Sequence, residues 1–218
     1  MTTDSGYHYY TGTHGHYHTP YAAWDLVTGP TDEPVTLAEC KQHAKILYSD
    51  DDAVQFRFLK MAREEAEEYL QRGLLTQTWR LALQNFYEIM FLPMAAPLQS
   101  VTSVTYYDAN GVQQTLAPTV YTVDTYSRPG SVIRAANQIW PVLQTDRRLS
   151  RVVITYVVGW TSAALVPERI KQGIRSYVAY LDADREGLEE NQDRALTSAK
   201  SCWQDRVFWL EPHGYAGW

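Results

Sequence analysis

Cysteine, basic charge and long apolar runs are all scarce in this chain. Its 218 residues hold two cysteines, Cys40 and Cys202, far apart in sequence. That spacing excludes a disulfide framework and fits a reducing compartment. No run of about 18 apolar residues occurs, so no membrane span is expected. Nor does the N-terminus show the basic-then-apolar pattern of a signal sequence, so the chain is expected to be cytoplasmic when made. Lys and Arg number 19 against 25 Asp and Glu, for a net charge of −6. Such a balance gives no basic footprint for nucleic acid. It suits a channel that lets DNA pass without sticking.

Catalytic signatures are missing as well. There is no Gly-rich phosphate loop, no Gly-x-Ser-x-Gly elbow, no His-Glu-x-x-His and no Cys-x-x-Cys. Asp124 and Asp146 would pair as acid and base only if the fold joined them, and nothing in their flanks favours it. Asp50-Asp51-Asp52 lacks the glycine and terminal glutamate of a calcium loop. The expectation is therefore a protein that is not an enzyme and uses no cofactor or metal.

What the chain does have is aromatic residues. Tyr numbers 16 and Trp 7. Both offer large contact area with a polar handle, which suits interfaces; strands favour aromatics too, so both readings stay open. Residues 1–33 form a zone of their own, rich in Tyr, His, Thr and Gly, and read as an extended arm. Alternating His14, His16 and His18, with His8 nearby, could hold a transition metal, but no Cys or acidic partner completes a site. An arm lying on a neighbouring subunit is the preferred reading. Tyr7, Tyr9, Tyr10, Tyr17, Tyr21 and Trp24 would be its anchors.

Pro34 stops that arm. Thr36 and Glu39 then form a Thr-x-x-Glu capping box opening a helix over 37–47. Ser49 to Asp52 supplies a second N-cap for a helix over 51–72, with Gly73 as its left-handed cap. Val54, Phe58, Met61, Ala62, Ala66, Tyr69 and Leu70 give that helix its apolar stripe. Its glutamates, Glu64, Glu65, Glu67 and Glu68, read as a solvated face or as an acidic surface lining a channel. Pro167 suits the first turn of a third helix over 167–185, striped by Ile170, Ile174, Tyr177, Val178 and Leu181. A fourth helix is possible over 193–202.

Between the helices the period changes to two. Thr76–Phe86 reads as a strand with Trp79, Leu81 and Leu83 on one face. Val101–Tyr107 alternates with slight breaks, then turns at Asp108-Ala109-Asn110-Gly111 into Val112–Leu116. Tyr121–Asp124 and Ser131–Arg134 flank Pro129-Gly130, and Arg151–Trp160 is a final apolar strand. The plan is α+β: a small helical bundle (34–75 and 163–202) with an inserted antiparallel β region (76–162). Residues 203–218 form an aromatic tail.

The ordered series Pro34–Glu39, acidic helix, Leu75-Thr76-Gln77-Thr78-Trp79, Pro97–Gly111, Val120–Asp124, Pro129-Gly130, Trp140-Pro141, Val152–Gly159 and Val166–Gln172 resembles the head-tail connector (adaptor, head-completion) proteins of tailed phages, the gp8-like and gp6-like connector family. The resemblance covers about residues 34–185. It implies a structural virion protein of the neck, made in the host cytoplasm. Such subunits form a homo-oligomeric ring, commonly of twelve copies, beneath the portal protein. They extend the DNA channel and dock a downstream neck or tail protein, a stopper or tail terminator. The family's portal-gripping C-terminal segment falls here on Trp203, Arg206, Val207, Phe208, Trp209 and Leu210, with Tyr215 and Trp218 beyond it. Aromatic side chains of that kind are typical hot spots when inserted into a partner's groove. A tail-completion or other neck protein that never touches the portal is the alternative, and an enzyme acting on nucleic acid or cell wall is the less favoured one.

Overall fold

The computed structural model of the chain describes residues 22–47, 49–145, 150–183 and 189–203. Its fold is α+β, with four helices gathered around one core and antiparallel strands around another.

The helical layer begins where the sequence says it should. Thr36 Oγ1 accepts from the Glu39 N–H at 3.2 Å, and the Glu39 carboxylate accepts from the Thr36 N–H at 2.6 Å. This capping box starts α1 (Leu37–Ala44). The next helix, α2 (Asp52–Leu70), departs from expectation at both ends. Asp51 occupies the N-cap position, but its side chain makes no capping hydrogen bond. Asp52 instead meets Lys41 of α1 at 2.7 Å, so part of the acidic run ties two helices together. At the other end Gln71, not Gly73, takes the left-handed cap with φ 51°. Gly73 serves close packing: a Cβ there would stand 2.6 Å from Gln77 Nε2 and 2.7 Å from Val158 Cγ2. The third and fourth helices, α3 (Glu168–Ala183) and α4 (Glu189–Trp203), complete the layer. Leu59, Ala62 and Ala66 of α2 pack with Ile170, Ile174 and Val178 of α3, and α4 adds Ala199 and Trp203.

Seven-residue β1 (Ala22–Thr28) lies within the segment expected to be an extended arm. It pairs antiparallel with β2 (Gln77–Leu83), from Ala22 opposite Leu83 to Thr28 opposite Thr78. Then come β3 (Ile89–Phe91), β4 (Leu98–Tyr107), β5 (Gln113–Thr115), β6 (Tyr121–Asp124), β7 (Ser131–Arg134) and β8 (Val152–Val158). The larger sheet runs β1-β2-β8-β4-β5 and the smaller β3-β7-β6. Central β8 alternates cleanly, with Val152, Ile154, Tyr156 and Val158 buried. Taking each of these side chains out of water contributes about 1.5–3 kcal/mol. The broken alternation of β4 has a cause: its register against β8 shifts between Leu98 and Ser100, and again between Val101 and Ser103. The Asn-Gly turn forms as expected, with Asp108 Oδ1 accepting from the N–H groups of Asn110 and Val112 and Gly111 at φ 78°.

Leu75 and Gly159 form a seam between the two layers. Leu75 bridges Trp160 beside Gly159, whose φ is 92°. A Cβ on Gly159 would stand 2.0 Å from the Leu75 carbonyl oxygen, so only glycine fits there. Gln99 Nε2 donates to the Gly159 carbonyl at 2.8 Å and to Thr76 Oγ1 at 2.9 Å, pinning β4 to the same point.

Candidate assembly interface

Among the described residues no group of His, Cys, Asp and Glu is arranged to hold a metal ion. Asp124 is a turn residue: its Oδ1 accepts from the N–H groups of Tyr126 and Ser127, and Oδ2 accepts from the Ser127 hydroxyl. Asp146 lies outside the described residues. One concavity among the described residues is an open cleft of about 320 Å³ between the β1–α1 connection and α2, lined by Glu33, Val35, Leu37, Phe56, Leu59 and Lys60. Of its lining groups, the exposed Thr31 hydroxyl donates to the carboxylate of its neighbour Asp32 at 3.2 Å.

The buried polar chemistry sits under the helices instead. Arg63 of α2 is 7% exposed and Glu67 is 6% exposed, one turn apart on the inward face. Arg63 NH1 donates to Glu67 Oε2 at 2.6 Å, Nε to Glu33 at 3.0 Å and NH2 to Glu64 at 3.1 Å. The other Glu67 oxygen accepts from the Leu74 N–H at 2.8 Å and from Gln77 Nε2 at 2.6 Å. Gln77 Oε1 then accepts from Trp79 Nε1 at 3.2 Å. This chain of bonds joins the segment after β1, the middle of α2 and the start of β2. Burial pushes the Glu67 carboxyl above its ordinary range, with Arg63 and the donors from Leu74 and Gln77 pulling the other way. Burial likewise raises Glu33. Burial opposes the charge on Arg63, but the carboxylates of Glu67, Glu33 and Glu64 hold its pKa above the usual arginine value.

The expected acidic face therefore loses a member. Glu67 is a core ion-pair residue, because it follows Arg63 by one helical turn and faces inward with Ala62 and Ala66. Glu64 and Glu68 are exposed, and Glu65 reaches Lys200 of α4 at 3.5 Å. The sequence held the signal for this network, an Arg and a Glu four residues apart on one helix, overlooked among so many glutamates.

Trp203 was expected to seat in a portal protein. It is 0% exposed and closes this chain's own helical core. Its Nε1 donates to the Ile170 carbonyl at 3.3 Å, and its ring meets Tyr69 at 5.9 Å and Tyr177 at 6.5 Å between centroids. Gly173 makes room on α3, where a Cβ would stand 2.1 Å from Trp203 Nε1. Arg206, Val207, Phe208, Trp209, Leu210, Tyr215 and Trp218 lie outside the described residues, as do Tyr7, Tyr9, Tyr10, Tyr17 and Tyr21. Trp24, the last of the expected arm anchors, is half-buried on β1 against the β core.

Several large apolar side chains stand open on the surface. Leu26 and Val27 of β1 are 46% and 50% exposed, and Ile139 and Val142, beyond β7, are 85% and 75% exposed. Ile139 and Val142 flank Trp140, which stacks on Phe86 at 4.7 Å, so a fixed loop presents them. It lies beside the β4–β5 turn, where Asp108 bridges Leu143. The helices join the sheet at its other end, through Leu75 and Trp160.

The same fold occurs in particle structures. A chain of the virion of the native gene transfer agent (GTA) particle superposes with a TM-score of 0.66 at 22% identity, over 83% of this chain and 94% of that one. A chain from the neck of the empty GTA particle, computed with C6 symmetry, gives the same values. One from the neck of the native particle, computed with C12 symmetry, gives 0.61 at 21% identity, over 81% and 93%. No protein-family model matches the chain, and no curated protein does. The fold is thus that of a chain found in GTA particles; the finer connector family has no model match to support it.

Proposed function

We propose that this chain is a structural, non-enzymatic subunit of a ring in the neck of a phage-like virion, between head and tail. One observation carries the reading: its fold spans 94% of a chain in the GTA virion, and like chains occur in necks computed with sixfold and twelvefold symmetry. A ring of about twelve copies would place many identical head-to-tail contacts around a closed cycle. Weak single contacts then add to a stable whole. The acidic balance of the chain suits a lumen crossed by DNA, and exposed Glu64 and Glu68 are the candidate lining.

Within that ring, residues 204–218 hold the portal above, and Trp203 fixes the point where this tail leaves the helical core. The sheet tip with Ile139 and Val142, at the end away from the helices, docks the next neck or tail protein. Removing residues 204–218 leaves every described core contact in place. The expected result is a folded subunit that fails to join portal-bearing heads, read by co-sedimentation with purified heads. Normal attachment of the shortened chain would sink the portal assignment. Absence of the full-length chain from purified particles would sink the neck reading itself.

A further inference from the structure

Among the described residues, the outer edge of β1 is an open hydrogen-bonding template. β1 ends the larger sheet and pairs only with β2 among the described strands. Natural edge strands are blunted by shortness, proline or charge. The opposite edge, β5, obeys this rule: three residues, Gln113–Thr115, all exposed and polar. The edges of the smaller sheet, β3 and β6, have three and four residues. By contrast β1 runs for seven residues without lysine, arginine or proline. Its only charge, Asp25, is bound by Arg80 of β2 at 2.7 Å, and Leu26 and Val27 stand exposed. An edge so long and unguarded is either an aggregation hazard or an acceptor.

We infer that it is an acceptor, and that its occupant is the N-terminal segment, residues 1–21, of a neighbouring copy, added as a further strand. The inference rests on the ring reading. The segment precedes β1 in the chain, so each copy carries one acceptor and one donor, as a closing head-to-tail ring requires. Its composition suits a strand laid on an exposed edge. It has five Thr and five Tyr, and Asp4 is its one charged residue if histidine is counted neutral. Fully extended, 21 residues reach about 70 Å at about 3.3 Å each. The radius of gyration of a domain this size is about 17 Å, so the segment can span to the next subunit.

A photo-crosslinking residue at the edge tests this in the full-length chain. Val27→p-benzoylphenylalanine would be incorporated into particles, irradiated, and the products separated by size and mapped by mass spectrometry. The expected product is a dimer, and longer ladders, with Val27 joined to a peptide from residues 1–21 of another copy. Crosslinks within one copy, to another segment, to a different protein, or none at all, overturn it. If purified particles lack the chain, the neck reading fails separately. The same irradiation of the concentrated chain in solution then decides the strand addition by the same products.

Discussion

Trp203 shows how a residue's chemistry can be read correctly and its neighbour wrongly. A tryptophan near an aromatic terminus suits a partner's groove and a core equally well. Gly173 decides between them, since a glycine inside an amphipathic helix marks a close approach, here of the indole ring. Gly173→Ala would force a rigid ring to move. The expected loss is about 1–3 kcal/mol, as for other overpacked cores, read from the urea midpoint. Trp203→Ala should cost about 3–5 kcal/mol through the cavity it leaves. A Trp203→Ala chain as stable as the parent would mean that the ring lies outside the core.

Glu67 is the other decisive side chain. A glutamine there keeps one acceptor oxygen against three donors, from Arg63, Leu74 and Gln77. Leaving a buried donor without its acceptor costs about 1–3 kcal/mol, and that is the loss expected for Glu67→Gln at pH 7. The pH dependence has a definite sign. The folded-state pKa of Glu67 is raised, so the folded chain holds this proton more tightly than the unfolded one. Its ionisation costs stability above the folded pKa, and that cost fades as pH falls towards the ordinary carboxylate value of 4.5. Parent and variant should therefore draw further apart between pH 7 and 5, measured by thermal or urea unfolding. A gap that narrows would show the carboxyl to be lowered instead.

At the scale of elements, most of the fold was legible. The capping box, the Asn-Gly turn, the Ile170–Val178 stripe and the alternation of β8 each carry a local rule that the packing respects. The departures have physical reasons. β1 was unreadable because Ala22–Thr28 does not alternate; an edge strand need bury little, and among its described side chains Trp24 is the one packed against the core. The three-residue β3 is too short to show a period. Gly73 looked like a cap because caps and close approaches both select glycine. The seam at Gly159 is the element-level feature most open to test. Gly159→Ala would meet the Leu75 carbonyl and strain a positive φ together. It should separate the helical and β layers enough to lower the melting temperature and expose the Leu75–Trp160 bridge to hydrogen exchange. Unchanged exchange protection at Trp160 would mean that the seam yields without cost.

The candidate surfaces were less legible than the fold. A docking face is defined by what the folded chain leaves uncovered, and sequence does not print that. Ile139, Val142, Leu26 and Val27 look like any other aliphatic residues until their neighbours are known. Conversely, Glu67 looked like surface and proved to be core.

For the whole molecule, the governing quantity is charge. On the proposed reading, a ring in the neck lets DNA through, so its wall should hold the duplex weakly. Each phosphate contact made by Lys or Arg releases a counterion and steepens the salt dependence of binding. A chain with net charge −6 offers few such contacts, and several basic side chains are already engaged: Arg63 with Glu67, Arg80 with Asp25 and Arg134 with Glu88. The isolated chain should therefore show no retention of duplex DNA at about 150 mM salt, where the screening length is about 8 Å. Glu64→Lys with Glu68→Lys would change the net charge by four, from −6 to −2. Both side chains are exposed, but Glu64 accepts from Arg63 NH2 at 3.1 Å, so a stability loss of about 0.2–1 kcal/mol should accompany the rise in DNA affinity at low salt. If this face lines the lumen, particles carrying the double variant should also release their DNA more slowly, which a time course of nuclease-accessible DNA would read. Unaltered release with assembled particles would place the lumen on another face, and tight salt-sensitive binding by the parent chain would contradict a weakly adhesive channel altogether.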